Sequence, residues 1–371
     1  MAEARQRKIS VAIDASLWDE PTTGIGLYTR NLVAAMEREG VPVRRIGARH
    51  SGEHPRGAMG RTAYFLAQLS SVLDSVDEPI FHAVCNFNLP PVRIPGKRLV
   101  LTVHDLIPDL LPDAVSFAFR WQFRLWLARS LRIADRVICV SHRTRDDLAA
   151  RFDVDRDKLT VIHLGVDHVD GIAEPDAAGA AFIQALALPR QYVLHAGALD
   201  VRKNIDLLLN ACAVLHARGK AVPLLLVGQE WYGSEALAKR IAHLRSSGLD
   251  IRALGYQSEP IFYALMRRAT VFAFPSRYEG FGLPPLEAMR LGVPTVVSSA
   301  GALPEVCGEA AMQIDPGDAE GLASAIELLM GSESERRARV AAGREWAGRF
   351  RWQTAAKETI GLYRSVLDHA P

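Results

Sequence analysis

Two glutamates, Glu279 and Glu287, stand on either side of a short glycine-containing turn. An apolar run at residues 270–274 precedes the turn and a helical pattern at residues 284–291 follows it, so the segment predicts a strand, a turn and a helix. Backbone N–H groups at the start of a helix can bind an anion, and carboxylates accept hydrogen bonds from hydroxyl groups. The pattern favours a ligand with a diphosphate at its centre and hydroxyl-bearing sugars at both ends. Acids at a helix start are also an ordinary structural feature, which is the alternative interpretation.

Strand-like and helix-like segments alternate along the chain. The alternation restarts after residues 167–188, which are rich in Ala, Gly, Asp and Pro and predict a linker plus a small helix. This pattern predicts an α/β protein with two Rossmann-like domains, each a mostly parallel sheet covered by helices. We expect an N-terminal domain at residues 1–170, a C-terminal domain at 186–352, and a final helix at 353–371 that packs back on the first domain. The predicted strands are 9–13, 41–46, 80–83, 98–103, 137–140 and 159–162, then 192–195, 223–227, 251–255, 270–274, 294–297 and 311–314. The predicted helices include 26–39, 61–73, 117–134, 143–152, 205–218, 234–246, 260–268, 284–291, 319–330, 333–350 and 353–367.

Composition indicates a globular protein and shows no overall excess of basic residues that would point to nucleic-acid binding. The formal net charge is +2 at pH 7, and the four cysteines show neither CxxC nor metal-ligand spacing, so we expect reduced thiols in a cytoplasmic protein. We recognise no signal-peptide pattern and no apolar run long enough to cross a bilayer. An Asp-Val-Asp triplet at 153–155 lies on a polar connection, so we interpret it as a solvated loop and predict neither a metal site nor a cofactor.

The chain resembles the retaining glycosyltransferases of family 4, which have the GT-B fold of two Rossmann-like domains facing across a cleft. The resemblance extends from end to end, and its most specific part is the two-glutamate segment at 276–289. Further matching segments are Gly24-Ile25-Gly26-Leu27-Tyr28, Thr102-Val103-His104-Asp105, Gly197 with Arg202-Lys203-Asn204, and residues 161–167 at the start of the hinge, where family members commonly have proline at the position of His163. The subgroup that the chain resembles most includes bacterial mannosyltransferases of surface polysaccharide assembly.

The resemblance implies roles for residues of the C-terminal domain, which would bind the nucleotide-sugar. Glu287 would bind the ribose hydroxyls and Glu279 the donor sugar. Arg202 and Lys203 would hold the diphosphate, where cations stabilise the negative charge that develops as the glycosidic bond breaks; a solvated basic pair is the alternative. Further donor-binding residues would be Gly197, Gly280, Phe281, Gly282 and Leu283 near the phosphates or sugar, and Gly255 and Tyr256 near the base.

The N-terminal domain would bind the acceptor. His104, at the end of a predicted buried strand, would contact the donor sugar or the acceptor, although a lone histidine is more often structural. Gly24 and Gly26 would approach the diphosphate or the acceptor, unless they only permit a tight turn and close helix packing. The segment Gly24-Ile25-Gly26 lacks the third glycine of a dinucleotide-binding loop, which argues against a nicotinamide oxidoreductase.

Residues 117–132 form a predicted helix that carries arginines and aromatic residues but no acid. One interpretation is a core-packing helix with a basic face. The other is peripheral contact with the cytoplasmic face of the inner membrane, because basic amphipathic helices with aromatic residues bind anionic lipid surfaces.

The sequence thus predicts a retaining glycosyltransferase that moves a sugar, with mannose from GDP-mannose as the first choice. The expected acceptor is a saccharide, with a lipid-linked one as the first choice, in O-antigen or exopolysaccharide synthesis. The first half of the sequence shows no convincing carboxylate nucleophile, so we expect a same-face displacement assisted by the departing phosphate. The open alternatives are a UDP-sugar-dependent transferase, an epimerase or phosphorylase of the same fold, and a non-catalytic partner that binds sugar nucleotides.

Overall fold

A computed structural model describes residues 9–20, 23–47, 64–229 and 234–368 of the protein. The first part of the chain contains β1 (Val11–Asp14), α1 (Gly24–Arg38), β2 (Val43–Ile46), a π-helical turn (Tyr64–Gln68) that continues into α2 (Leu69–Asp74), β3 (Ile80–Ala83), β4 (Arg98–Val103), α3 (Ile107–Leu110), α4 (Phe117–Ile133), β5 (Arg136–Cys139), α5 (His142–Arg151) and β6 (Leu159–Val161). The second part contains α6 (Ala177–Ala185), β7 (Val193–Ala196), α7 (Ile205–Ala217), β8 (Leu224–Val227), α8 (Ser234–Ser246), β9 (Ile251–Ala253), α9 (Glu259–Arg268), β10 (Val271–Phe274), α10 (Leu283–Arg290), β11 (Thr295–Ser298), α11 (Leu303–Cys307), β12 (Met312–Ile314), α12 (Ala319–Gly331), α13 (Glu333–Ala347) and α14 (Trp352–Asp368).

The described residues form two units, each built around one six-stranded sheet. The sheet of the first unit has the strand order β2-β1-β3-β4-β5-β6, and that of the second has the order β12-β11-β10-β7-β8-β9. All neighbouring strands are parallel. The first unit comprises the described residues through Leu110, residues 116–165 and residues 351–368. The second comprises Leu111–Val115 and the described residues between Val166 and Phe350. The predicted α/β class is confirmed, and a strand is found in each of the predicted strand segments.

Burial on both faces explains why the strand sequences are continuous apolar runs. Every residue of β1, β3, β7, β8, β10 and β11 is buried, as expected for parallel sheets covered by helices. Phe81 and Phe123 lie in the core of the first unit. Leu208, Leu226 and Ile326 lie in the core of the second.

The C-terminal helix α14 belongs to the first unit and packs on α1. A buried hydrogen-bond chain fixes it to the sheet: His82 Nδ1 lies 2.7 Å from the Tyr363 hydroxyl, and His82 Nε2 lies 2.7 Å from Thr102 Oγ1. The Tyr28 hydroxyl extends this chain at 3.1 Å from Thr102 Oγ1. Of the predicted helix at 61–73, residues 61–63 lie outside the described residues.

Candidate functional site

Lys203 is positioned by a tight turn that follows β7. Asp200 caps the 3-10 turn Val201–Lys203, because its carboxylate accepts a hydrogen bond from the Lys203 backbone N–H at 3.0 Å. Asn204 then takes the left-handed conformation (φ 57°), and its side-chain amide donates to the carbonyl oxygens of Pro275 at 3.0 Å and Pro316 at 2.8 Å. These bonds hold the turn against the segment that follows β10, which carries Glu279.

One carboxylate oxygen of Glu279 accepts hydrogen bonds from two cationic side chains. Glu279 Oε1 lies 2.8 Å from Lys203 Nζ and 2.6 Å from Arg202 Nη1. Glu279 and Lys203 are buried, with 8% and 6% of their surfaces exposed, and Lys203 Nζ lies 4.3 Å from the centre of the Phe274 ring. Arg202 also lies 3.6 Å from Asp200 Oδ2. The sequence-predicted pair and the first glutamate therefore form one buried ionic cluster at the carboxyl edge of the second sheet.

The pKa values of this cluster reflect competition between burial and neighbouring charge. Burial opposes ionisation of Glu279, but Arg202 and Lys203 outweigh it and hold the pKa of this carboxyl below its ordinary value. Burial, together with the Arg202 charge, lowers the pKa of Lys203 from 10.5 to about 8, against the opposing influence of Glu279. Lys203 is thus a cation at neutral pH that can be discharged at moderately alkaline pH.

The loop from Gly280 to Leu283 leads directly into α10. Gly282 is its N-cap, with φ 103°, and prolines occupy the first turn of the helix. Gly282 and Leu283 have backbone N–H groups without an acceptor within the helix, and these are suited to an anion, whereas Pro284 and Pro285 have no N–H group. The Phe281 side chain, by contrast, is buried and lies 6.0 Å from the Phe350 ring, centre to centre.

Close backbone approach fixes the shape of this loop. A Cβ atom on Gly301, which has φ +61°, would lie 2.4 Å from the Glu279 carbonyl oxygen and 2.6 Å from its nitrogen. The next residue, Ala302, donates its N–H to the same carbonyl oxygen at 2.9 Å. Gly301, which no sequence motif singled out, therefore supports the backbone that presents Glu279.

Glu287 lies in α10 and is bound by a histidine that was not predicted as a site residue. His168, in the 3-10 turn Asp167–Gly171, has its Nε2 atom 3.2 Å from Glu287 Oε1 and 3.4 Å from the Tyr263 hydroxyl. Burial, with the Glu287 charge next, raises the pKa of Tyr263. Glu287 is itself buried. No sequence signal marks His168, because it is a single histidine in a linker far from α10.

Three glycines meet at the carboxyl ends of β7, β8 and β9. Gly197 has φ 131° and Gly255 has φ 66°, and the N–H of Gly228 donates to the Gly255 carbonyl at 2.9 Å. A Cβ atom on Gly228 would lie 1.8 Å from the Gly197 carbonyl oxygen. Gly228 was not singled out from sequence, although its place directly after a predicted strand is a usable signal. Tyr256, which follows Gly255, is 47% exposed.

His195, which was also not predicted as a site residue, lies in β7 near the ionic cluster. It is fully buried, its ring stacks on Phe274 with the ring centres 5.6 Å apart, and its Nδ1 atom lies 2.9 Å from the Ala273 carbonyl oxygen. Burial lowers the pKa of His195 to about 4. The ring is neutral, so it does not compete with Lys203 and Arg202 for Glu279.

His104 lies at the end of β4 in the first unit. Its backbone N–H donates to Asn86 Oδ1 at 2.9 Å, and its ring Nε2 lies 2.8 Å from the Val84 carbonyl oxygen. Burial lowers the pKa of His104 to about 4. The Tyr28 ring meets it edge to face at 4.9 Å. With Nε2 protonated toward a carbonyl, the neutral ring presents Nδ1 as a hydrogen-bond acceptor, which suits a sugar hydroxyl.

The two glycines at the start of α1 differ in their surroundings. A Cβ atom on Gly26 would lie 2.6 Å from the Leu17 carbonyl oxygen and 2.9 Å from that of Glu20, so glycine is required for packing there. Nothing lies within 4 Å of a Cβ atom placed on Gly24. Thr23 caps the helix by accepting the Gly26 N–H at 3.1 Å.

Two arginines of α4 lie close to one carboxylate outside the helix. Arg124 and Arg151 both bind the buried Asp109 carboxylate, and Arg120 Nε lies 3.9 Å from it. Arg129 donates to the Leu89 carbonyl oxygen at 2.6 Å. In the part of the chain that the structure describes, no helix is both long and apolar enough to span a bilayer.

Two α/β units, each built around one six-stranded parallel sheet, are the architecture of the GT-B class of proteins. Family models match both halves of the chain: one described as "Glycosyltransferase Family 4" over residues 22–169, and one described as "Glycosyl transferases group 1" over residues 190–332. The O-antigen chain mannosyltransferase B of Escherichia coli is 32% identical over 77% of this chain and 74% of its own length. The chain belongs to the family 4 glycosyltransferases.

Two further comparisons extend this result. The MMP alpha-(1->4)-mannosyltransferase of Mycolicibacterium hassiacum is 32% identical over 73% of this chain and 66% of its own length. The structure of Anabaena Alr3699/HepE in complex with UDP and glucose has a TM-score of 0.72 at 18% identity, over 96% of this chain and 100% of that one. At that identity the structural match supports the fold alone.

Proposed function

We propose that this glycosyltransferase moves a mannosyl residue from GDP-mannose to a saccharide acceptor in O-antigen synthesis. The observation that carries the proposal is the similarity to the E. coli O-antigen chain mannosyltransferase over about three quarters of both chains. A second relative of equal identity is also named a mannosyltransferase. The site in the second unit supports the same class of reaction, since it combines a cation pair with carboxylates suited to sugar hydroxyls.

The second unit binds the donor in this proposal. Arg202 and Lys203 hold the diphosphate together with the N–H groups at the start of α10. Glu279 accepts hydrogen bonds from the donor sugar, and Glu287, oriented by His168, accepts them from the ribose hydroxyls. The two carboxylates flank the proposed diphosphate-binding loop in the sequence, which fits the order sugar, diphosphate, ribose along the donor.

The reaction is proposed to proceed with retention by a same-face displacement. The bond between the sugar C1 atom and the diphosphate oxygen breaks, and the acceptor hydroxyl oxygen forms a new bond to C1 on the same face. The acceptor proton passes to the departing phosphate oxygen, and the nucleoside diphosphate leaves. Lys203 and Arg202 stabilise the charge that grows on that phosphate, so their effect is larger in the transition state than in the ground state.

The first unit is proposed to bind the acceptor, with His104 accepting a hydrogen bond from a sugar hydroxyl and Gly24 leaving room for the ligand to approach. The acceptor is proposed to be a lipid-linked saccharide. The test is transfer from radiolabelled GDP-mannose to lipid-linked saccharides extracted from a strain that makes mannose-containing O-antigen. Labelled lipid product with retained anomeric configuration is expected. Transfer from UDP-glucose but not from GDP-mannose would overturn the donor, and hydrolysis or epimerisation without acceptor would overturn the reaction type.

Contact with an anionic membrane surface is proposed for α4. Phe117, Trp121 and Leu125 recur at helical spacing on one side of this helix and are 74%, 52% and 63% exposed. Beside them, three arginines surround the single Asp109 carboxylate, which leaves positive charge in excess. Exposed aromatic residues next to uncompensated arginines are typical of helices that lie in the headgroup region of a bilayer.

This contact can be tested by co-sedimentation with equimolar phosphatidylglycerol and phosphatidylcholine vesicles. We expect the parent protein to pellet with them and a Phe117→Ser, Trp121→Ser, Leu125→Ser variant to remain in the supernatant. Leu328→Ser is the matched control, because Leu328 is also exposed (45%) but lies in α12 of the second unit. Equal pelleting of the triple variant and the parent would contradict the proposal.

A further inference from the structure

A cationic groove lies in the second unit, away from the cluster around Glu279. It has a volume of about 640 Å³, and one wall is a face of α13. The other wall consists of the segments that lead into β7, β10 and β11, including Gln191, Thr270 and Pro294. Because the strands are parallel, their amino ends share one edge of the sheet, whereas Gly197 and Glu279 follow the carboxyl ends of β7 and β10.

The groove carries four arginines and one acid: Arg190, Arg336, Arg337, Arg344 and Glu333. Arg337 pairs with Glu333 one helical turn away. Arg336 donates to the carbonyl oxygens of Leu329 at 2.7 Å and Met330 at 2.9 Å, which leaves its charge uncompensated by a carboxylate. The lining therefore holds a clear excess of positive charge.

Two of the arginines have no polar partner in the described part of the chain. Neither the Arg190 nor the Arg344 side chain makes a hydrogen bond or an ion pair with any described residue, and both residues are exposed. Arg344 is nevertheless held in place by packing, because its guanidinium lies over Gly292: a Cβ atom there would be 2.4 Å from Arg344 Nη2. A guanidinium positioned without an acceptor in a concave surface can bind an incoming anion without first breaking an internal bond.

The chemistry of the lining selects the ligand. Planar guanidinium groups bind phosphate oxygens in pairs, and Thr270 and Gln191 offer additional neutral donors. The volume lies within the range of about 300–1,000 Å³ that is typical of small-molecule sites. The alternative is an ordinary solvated basic helix face, whose arginines would pair along the helix as Arg337 does; Arg190 and Arg344 make no such pair with a described residue. An apolar part of the wall is supplied by Ala269, Pro294, Val340 and Ala341.

We propose that this groove is a second ligand site, which binds a small phosphorylated molecule such as a nucleoside phosphate or a sugar phosphate. The site is independent of the donor site proposed above, since no residue is common to both. Arg190 and Arg344 bind the phosphate groups, and the apolar wall contacts the remainder of the ligand.

The test is isothermal titration calorimetry of the full chain with inorganic pyrophosphate at physiological salt concentration. In a Lys203→Ala background, which weakens the donor site, we expect pyrophosphate binding to persist. Adding Arg190→Ala and Arg344→Ala should weaken it by about tenfold or more, since each removes charge-assisted hydrogen bonds. Arg349→Ala is the control, because Arg349 follows α13 closely in the chain but stacks on Trp346 outside the groove lining.

The outcomes separate the site from general charge attraction. Retained binding in Arg349→Ala, with loss in the double arginine variant at an unchanged melting temperature, supports the groove. Mannose 1-phosphate and GMP, titrated into the Lys203→Ala protein, distinguish a sugar phosphate from a nucleotide as the source of the phosphate. Equal pyrophosphate binding with and without Arg190 and Arg344, or an equal loss in Arg349→Ala, would overturn the proposal.

Discussion

His168 Nε2 lies 3.2 Å from Glu287 Oε1, and both side chains are almost fully buried, with 7% and 4% exposure. The histidine lies in the linker that follows β6, whereas the glutamate lies in the helix that follows the glycine loop. The pair thus orients the second glutamate of the motif through a residue from a distant part of the chain. A carboxylate held in this way can present its remaining hydrogen-bonding capacity in a fixed direction.

Replacing His168 by Ala is expected to raise the KM for the donor by about tenfold while leaving kcat within a factor of a few. Glu287 would bind the ribose equally strongly in the ground state and in the transition state. A poorly oriented Glu287 would therefore weaken the binding of both states to the same extent, which raises KM and leaves kcat almost unchanged. Steady-state kinetics at varied donor concentration measure both KM and kcat. His216→Ala, in α7, serves as the control histidine. A fall in kcat at unchanged KM would contradict the assignment of Glu287 to the ribose.

Replacing Lys203 by Ala is expected to lower kcat by a factor on the order of 10²–10³, because it removes a cation from the charge that develops on the departing phosphate. The exposed Lys220, which lies 4.0 Å from Glu327, provides the control Lys220→Ala. Circular dichroism and a single-turnover assay are the measurements. Turnover within a factor of two of the parent would remove Lys203 from the mechanism.

Glu279→Ala is expected to abolish transfer. It is also expected to lower the free energy of unfolding by about 3–5 kcal/mol, because the cationic groups of Arg202 and Lys203 would then lie side by side without the carboxylate that pairs with them. The fold is expected to survive at room temperature, since the surrounding backbone bonds remain. Glu279→Gln keeps the shape and should cost less stability. Chemical denaturation measures both variants, and a Glu279→Ala protein as active as the parent would defeat the site assignment.

Activity is expected to fall as the pH rises through about 8, which gives the pH profile an alkaline limb, because Lys203 loses its charge there in the folded protein. Because this pKa is lowered from 10.5, the unfolded state binds more protons between about pH 8 and 10.5, so this group's contribution to stability rises with pH across that window. The cost of burying the charged lysine is fully present below pH 8. Activity and stability should therefore change in opposite directions as the pH rises through this range.

Lys203→Arg separates this explanation from others, because a guanidinium does not titrate below about pH 12. The variant is expected to lose the alkaline limb near pH 8 even if its maximal rate is lower. A limb that stays at the same pH in Lys203→Arg would show that another group titrates.

Gly301→Ala is expected to lower the free energy of unfolding by several kcal/mol and to impair turnover, because the added Cβ would collide with the Glu279 backbone at a left-handed position. Gly331→Ala is the matched control, since Gly331 is the last residue of α12 and nothing lies within 4 Å of a Cβ atom placed on it. Denaturant titrations of both variants make the comparison. Equal stabilities would mean that the backbone near Glu279 adapts without cost.

Much of the fold followed from the sequence because buried parallel strands produce apolar runs that helical segments separate. The helices α3 and α11 were missed, as they are too short to display a helical period. The arginine-rich helix was predicted correctly as a helix. The carboxylate that lies beside two of its arginines, Asp109, is outside the helix and is recognisable only once the chain is folded.

The sequence predicted individual residues of the candidate site but not the contacts between them. Sequence motifs marked Lys203 and Glu279 separately, yet their common hydrogen bond joins residues far apart in the chain and depends on the capped turn after β7. His168, Gly228 and Gly301 escaped notice because their roles are close approaches between distant segments. Such contacts leave no local pattern in a single sequence.

The most direct test of the donor site is a thermal-shift panel of GDP, UDP, dTDP, ADP and their common sugar conjugates, run on the parent and on Lys203→Ala. A ligand that binds the folded state raises its melting temperature. We expect stabilisation of the parent by GDP and GDP-mannose, and a much smaller effect on Lys203→Ala. Stabilisation by UDP species alone would contradict the mannose donor, and an equal response of both proteins to every nucleotide would contradict the donor site.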